Sequence, residues 1–210
     1  MSDDENQITE NAEEESTGKA EKEGVRLGDA FEWLESVAVA VVAVIFLFTF
    51  IFRIVGIKGP SMQNTLFEKD RVIISNLFYT PKCGDIVVIS RNYLSEYEDS
   101  SDPIIKRVIA TEGMVVDIDF EAGIVYVDGV ALDEPYTRVP TTTQYDVEFP
   151  LRVGENQIFV LGDNRGNSMD SRDSRVGLVD RRYVLGKALF RIYRASDYRE
   201  KFSDMFGVLL

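Results

Sequence analysis

Residues 1–24 are polar and acidic, carry no apolar periodicity, and read as a solvated, disordered tail. The pattern changes abruptly at Val37. An apolar run from there reaches Phe52 and continues to Ile57, with Arg53 as its single charge. About 21 residues at roughly 1.5 Å each span about 30 Å, the hydrocarbon thickness of a bilayer. A core helix in a domain this size has no use for apolar side chains on every face. A removable signal peptide would begin with a short basic leader, whereas this leader is long and acidic. The expectation is a tail over residues 1–30 and a transmembrane anchor helix over 31–57. Trp33, Arg53 and Lys58 suit the two interfaces, with Arg53 snorkelling. Lys19, Lys22 and Arg26 lean towards a cytoplasmic N-terminus.

Past residue 67 the pattern shortens to β-branched runs: Arg71 to Ser75, Asp85 to Ser90, Ile104 to Ala110, Met114 to Ile118, Ile124 to Val127 and Gln157 to Leu161. Turn residues separate them at Cys83-Gly84-Asp85, Glu112-Gly113, Asp128-Gly129 and Gly162-Asp163-Asn164. No helical pattern alternates with these runs, so a mainly β, antiparallel domain over 58–199 is expected. Residues 91–103 and 133–150 are polar and Pro/Thr-rich and read as loops. Residues 200–210 form a tail with an apolar end.

Charge adds little beyond the tail. The net charge is −13, and nine acids against two lysines place −7 of it in residues 1–24. No basic stripe is present to neutralise phosphates, which argues against a nucleic-acid partner. Cys83 is the single cysteine and histidine is absent, so a disulfide is impossible and a zinc site disfavoured. The expected chemistry needs neither metal nor cofactor.

The missing histidine also rules out a Ser-His-Asp triad, so an activated serine would need another base. Ser61, in Gly59-Pro60-Ser61-Met62, lies four residues beyond the apolar run, where a Gly-Pro turn can expose a hydroxyl. Taken alone, such a serine is more often a turn residue or a cap. Lys106 lies inside Ile104-Ile105-Lys106-Arg107-Val108-Ile109. In a strand it shares a face with Ile104, Val108 and Ala110. A Lys-Arg pair is usually a solvated strand edge. A lysine on an apolar face, however, can fall to a pKa of about 5–6 and become a neutral base. The third block, Gly162 to Arg172, sets Ser168, Asp170 and Arg172 in alternation. It reads either as a turn held by an Asp–Arg pair or as a hydroxyl that orients the lysine amine.

Together these blocks resemble the conserved boxes of the bacterial type I signal peptidases. Gly-x-Ser-Met-x-x-Thr-Leu at 59–66 is followed by Gly84-Asp85-Ile86-Val87, by Lys106-Arg107-Val108, and by Gly162-Asp163-Asn164-Arg165 with Ser168-x-Asp170-Ser171-Arg172. The likeness runs from Val37 to Gly186. It implies an N-terminal membrane anchor, an extracytoplasmic domain of coiled antiparallel sheets, and serine endopeptidase activity. The implied substrates are signal peptides of exported preproteins, cut after small residues in the Ala-x-Ala pattern. By the same resemblance Ser61 is the nucleophile, Lys106 the general base, and Ser168 the hydroxyl that bonds the lysine. Asp170 and Arg172 support the site, and Ile57, Met62, Leu66, Ile104 and Ile105 line a shallow pocket for the residue before the cut. The other implied partner is membrane lipid.

Two positions depart from the family pattern. Gly59 stands where some members have a serine that joins the oxyanion hole, which leaves the backbone N–H of Ser61 as the clearest donor. Asn64 replaces a common proline. Two rival readings remain open: another serine–lysine protease, such as a self-cleaving repressor, and a non-catalytic membrane-anchored scaffold. A DNA-binding domain would identify the first, but a membrane span stands in its place. The second has no need of Ser61, Lys106 and Ser168 together.

Overall fold

The computed structural model describes residues 28–48, 51–90, 102–193 and 207–209. The acidic tail and most of the 91–103 loop therefore lie outside the described residues. The chain divides into two units, one ending at Phe50 and the other beginning at Ile51. The described part of the first is one helix, α1 (Gly28–Phe48), whose side chains are all exposed. At 21 residues it is long and apolar enough to cross a membrane. Asp29, Glu32 and Glu35 fall in its early turns, where the helix dipole favours acids.

This helix differs from the sequence expectation of an anchor over 31–57. Its described part, Gly28–Phe48, starts before residue 31, and Phe52–Gly56 is instead the strand β1. The physical reason lies in pairing. Phe52-Arg53-Ile54-Val55 is aromatic and β-branched, which suits a pleated strand, and its full length pairs with β2 (Arg71–Ser75), from Phe52 opposite Ser75 to Gly56 opposite Arg71. Apolar composition alone does not distinguish the end of a span from an edge strand.

The second unit is built from antiparallel strands. The remaining ones are β3 (Ile86–Ile89), β4 (Ile104–Thr111), β5 (Val115–Asp119), β6 (Ile124–Val127), β7 (Val130–Ala131), β8 (Leu151–Arg152), β9 (Gln157–Leu161), β10 (Val179–Asp180), β11 (Val184–Tyr193) and β12 (Gly207–Val208). The large sheet runs β1-β2-β11-β3-β4-β9-β10, with β12 added to β11, and a small sheet runs β7-β6-β5-β8. All six runs read from the sequence are strands, with ends shifted by a residue or so. β11 has no such signature in the sequence, because Gly186 and Lys187 interrupt its apolar pattern. There the register against β3 shifts between Val184 and Gly186, and Gly186 packs its Cα side against Ser75.

Three apolar clusters hold this unit together. β3 is an unbroken apolar run because it is covered on both faces. Ile86 and Val88 enter a cluster with Ile57, Met62, Leu66 and Ile105, whereas Val87 and Ile89 enter another with Val108, Ile158 and Val160. β4 alternates as expected through Val108. A register shift against β9 then sends Ile109 and Ala110 together into the third cluster, with Phe159 and Leu161. Ala110 therefore does not share the face of Val108, since a bulge puts two residues opposite one. β12 and Leu209 give the C-terminal tail a place on β11: Leu209 N–H bonds to Leu189 O, and its side chain packs on the first cluster.

Candidate active site

Ser61 projects from a loop anchored by its neighbours. Ile57, Met62 and Leu66 are buried in the first cluster, and backbone bonds from Thr65 and Leu66 to Met62 O wind the loop into turns. Gly59 begins it with φ at +79°, a left-handed conformation that a side chain at this position would strain. The serine is left half-buried at the surface of its own apolar anchors.

Lys106 comes from the middle of β4 and is 3% exposed. Its Nζ lies 3.0 Å from Ser61 Oγ and 3.1 Å from the carbonyl of Ile105. Burial disfavours a charged amine, and the Ser61 oxygen is within proton-transfer reach. The structure thus brings together two residues that lie 45 positions apart.

The third block closes around this pair. Asn164 donates from its backbone N–H to Ser61 O at 2.9 Å and from Nδ2 to Pro60 O at 3.1 Å. Gly162 runs so close that a Cβ there would stand 2.2 Å from Ser168 Oγ and 2.6 Å from Ser61 O. Asp170 accepts the Gly162 N–H at 3.0 Å and pairs with Arg172 through both of its oxygens. Arg172 also donates to Arg165 O and Thr143 O. Both side chains of the Asp170–Arg172 pair are fully buried. Removing one partner of such a pair typically costs about 3–5 kcal/mol, because a charge is left uncompensated. The pair reaches the Ser61 loop through the Gly162 turn, which Asp170 holds and which abuts Ser61 O.

Ser168 is 3% exposed and sits against Gly162. Its hydroxyl is expected from the sequence to bond the lysine amine; among the described residues no hydrogen-bond partner is found for it. The hydroxyl lies beside the Ser61 loop, against Gly162. The apolar pocket residues also separate. Ile57, Met62, Leu66 and Ile105 share the first cluster, whereas Ile104 packs against the second, because adjacent residues of a strand face opposite sides.

The fold also brings to the site several residues to which the sequence assigns no role there. Arg107 binds Asp163 through Nε at 2.9 Å and NH2 at 2.7 Å, and donates from NH1 to Gly84 O. Thr65 Oγ1 donates to the same Asp163 at 2.5 Å. From the region read as a loop, Glu134 grips Arg165 through both carboxylate oxygens, and the Tyr136 ring lies 3.9 Å from the Arg107 guanidinium carbon. Burial opposes the Arg165 charge, but the Glu134 carboxylate outweighs it and holds the guanidinium above its usual pKa. Burial, then Glu134, push the Tyr136 phenol well up. Glu134-Pro135-Tyr136 carries no periodicity, so its local pattern does not mark it.

A cavity of about 740 Å³ lies elsewhere and is lined by Tyr79, Asn156, Arg181 and Arg182 among others. No sequence-predicted site residue lines it; Arg182 pairs there with Asp180, and Arg181 donates to the Asn156 amide oxygen. Among the described residues no group of three or more acids, cysteines or histidines could hold a metal ion.

A family model described as signal peptidase, peptidase S26, matches residues 30–193. The chain is 37% identical over 163 residues to a probable signal peptidase I-1 of Synechocystis, covering 75% of this chain and 80% of that one. It is 30% identical over 180 residues to signal peptidase I S of Bacillus subtilis, covering 80% and 92%. A crystal structure of a signal peptidase I from Enterococcus faecalis aligns with a TM-score of 0.41 at 27% identity, over 52% of this chain and 97% of the other.

Proposed function

Since the chain belongs to the signal peptidase family, peptidase S26, and is thus a hydrolase that removes signal peptides, we propose that it does so with a Ser61/Lys106 dyad. The observation that carries this reading is the 3.0 Å approach of a buried lysine amine to the Ser61 hydroxyl in a chain without histidine. In the proposed cycle neutral Lys106 accepts the Ser61 proton as Oγ attacks the scissile carbonyl, and the oxyanion meets the Ser61 backbone N–H. Lys106 then gives the proton to the leaving amine. The neutral Lys106 amine next takes a proton from water as that water attacks the Ser61 ester of the signal peptide, and returns it to Ser61 Oγ as the ester bond breaks and the peptide leaves with a free carboxylate.

In this reading Ser168 keeps a buried hydroxyl at hand to steady the amine, and Asp170 with Arg172 fixes the Gly162 turn. Ile57, Met62, Leu66 and Ile105 shape a shallow apolar site that admits Ala or Gly before the cut, with Ile104 at the other face of its strand. No cofactor enters the scheme. We place α1 in the cell membrane as a single span, with the N-terminus cytoplasmic and the β unit outside, where exported preproteins emerge. The domain division proposed on this basis is a tail before α1, the anchor α1, and a catalytic β unit that starts at β1.

The test is cleavage of a preprotein by Ser61→Ala. Turnover is expected to fall by about 10³–10⁶ with folding intact. A variant that still processed at near wild-type rate would exclude Ser61 as nucleophile.

A further inference from the structure

We infer that Glu134 and Tyr136 form a positioning strap that sets the Ser61 loop against Lys106, and that both act through other residues rather than on the substrate. The inference rests on the proposed Ser61/Lys106 dyad.

The tripeptide Asp163-Asn164-Arg165 is the key. Its middle residue holds the nucleophile loop by two bonds, to Ser61 O and Pro60 O. Its two ends are each clamped from the 134–138 segment. At one end Asp163 is gripped by Arg107, whose guanidinium lies under the Tyr136 ring, and Asp163 O also accepts the Arg138 backbone N–H at 2.9 Å. At the other end Arg165 is gripped by Glu134 in two bonds of 2.6 and 2.8 Å. The two clamps are joined, because the Tyr136 hydroxyl donates to Glu134 Oε1 at 2.9 Å.

The strap also touches the loop directly: Asn64 Nδ2 donates to Thr137 O at 3.3 Å and Arg138 bonds Gln63. Arg165 and Arg107 are nearly inaccessible, with side chains 0% and 5% exposed. Planar guanidinium groups held in bidentate pairs and under a ring have one geometry, not several. Arg107 is the chain neighbour of Lys106, so the same clamp orients the strand that carries the base. The small sheet joins this arrangement, since Thr141 accepts from Arg165 at 2.6 Å and is held by its N–H to Gly123 O, in the turn between β5 and β6. The strap touches neither Ser61 Oγ nor Lys106 Nζ in any of these bonds. Its effect falls on their mutual distance, and therefore on turnover more than on substrate binding.

The experiment measures kcat and KM of full-length Glu134→Ala, Tyr136→Leu and Tyr136→Phe on a preprotein in lipid, beside Ser61→Ala. Thermal melts fix an assay temperature at which each variant is folded. Glu134→Ala and Tyr136→Leu are each expected to lose at least about tenfold in kcat, with KM within about twofold of wild type. Tyr136→Phe keeps the ring over Arg107 and should recover most of the loss. If Glu134→Ala fails to fold, the two tyrosine variants carry the same test. Unchanged kcat in Tyr136→Leu, a loss carried by KM, or no recovery in Tyr136→Phe overturns the strap. An active Ser61→Ala would instead overturn the dyad, so the two failures are distinguishable.

Discussion

Gly162→Ala is the sharpest perturbation the site offers, because one methyl group meets the Ser61 loop and Ser168 at once. The new Cβ would stand 2.2 Å from Ser168 Oγ, 2.6 Å from Ser168 Cβ and 2.6 Å from Ser61 O. Non-bonded heavy atoms meet at roughly 3.5 Å, so the Ser61 carbonyl must retreat by about 0.9 Å. The Ser168 hydroxyl can rotate away, whereas the Ser61 carbonyl is backbone and is held by Asn164. Gly162 is absent from the residues with positive φ, so the effect is steric and not conformational. The Lys106–Ser61 separation of 3.0 Å has little slack before it exceeds hydrogen-bond reach of about 3.2 Å. Misplacement of reacting groups by about 1 Å costs on the order of 10²-fold in rate, and overpacking costs about 1–3 kcal/mol in stability. Gly162→Ala should therefore cut preprotein cleavage by about a hundredfold or more while the protein remains folded in a thermal melt. Gly166→Ala is the control four residues on: its Cβ would meet only Val139, at 3.4 Å, and activity should stay near wild type. Equal activity in Gly162→Ala and wild type would refute the reasoning that the Gly162 approach sets the position of Ser61.

Lys106→Arg should be inactive, since a guanidinium cannot serve as a base, and wild-type cleavage should rise with pH as the amine loses its proton; an active arginine variant removes Lys106 from the scheme. A scan of the residue before the cut in one preprotein should favour Ala and Gly and reject Phe and Lys, because one methylene is worth about 1–3 kcal/mol in an apolar site and larger groups overlap its walls. Efficient cleavage after Phe would mean that Ile57, Met62, Leu66 and Ile105 do not line it. Alkaline carbonate should leave the protein in the membrane fraction, and protease added to sealed spheroplasts should digest the β unit. Protection of that unit would reverse the proposed orientation.

Local sequence determined what local physics controls. β-branched runs between Gly and Asp turns marked six of the strands, because a pleated strand selects such side chains over a few residues. The motifs around Ser61, Lys106 and Gly162–Arg172 were legible for the same reason: each is a short block whose residue types are needed where they stand. The change from α1 to β1 was not legible, since an apolar run suits a membrane span and an edge strand equally until a partner strand is known, and β2 supplied it. The bulge beyond Val108, the packing of Ile104 against the second cluster, and the ring of Tyr136 over Arg107 depend on contacts between residues far apart in the chain. Only the tertiary structure could bring Ser61 and Lys106 to 3.0 Å, because that distance belongs to a loop and a strand brought together by a shared core.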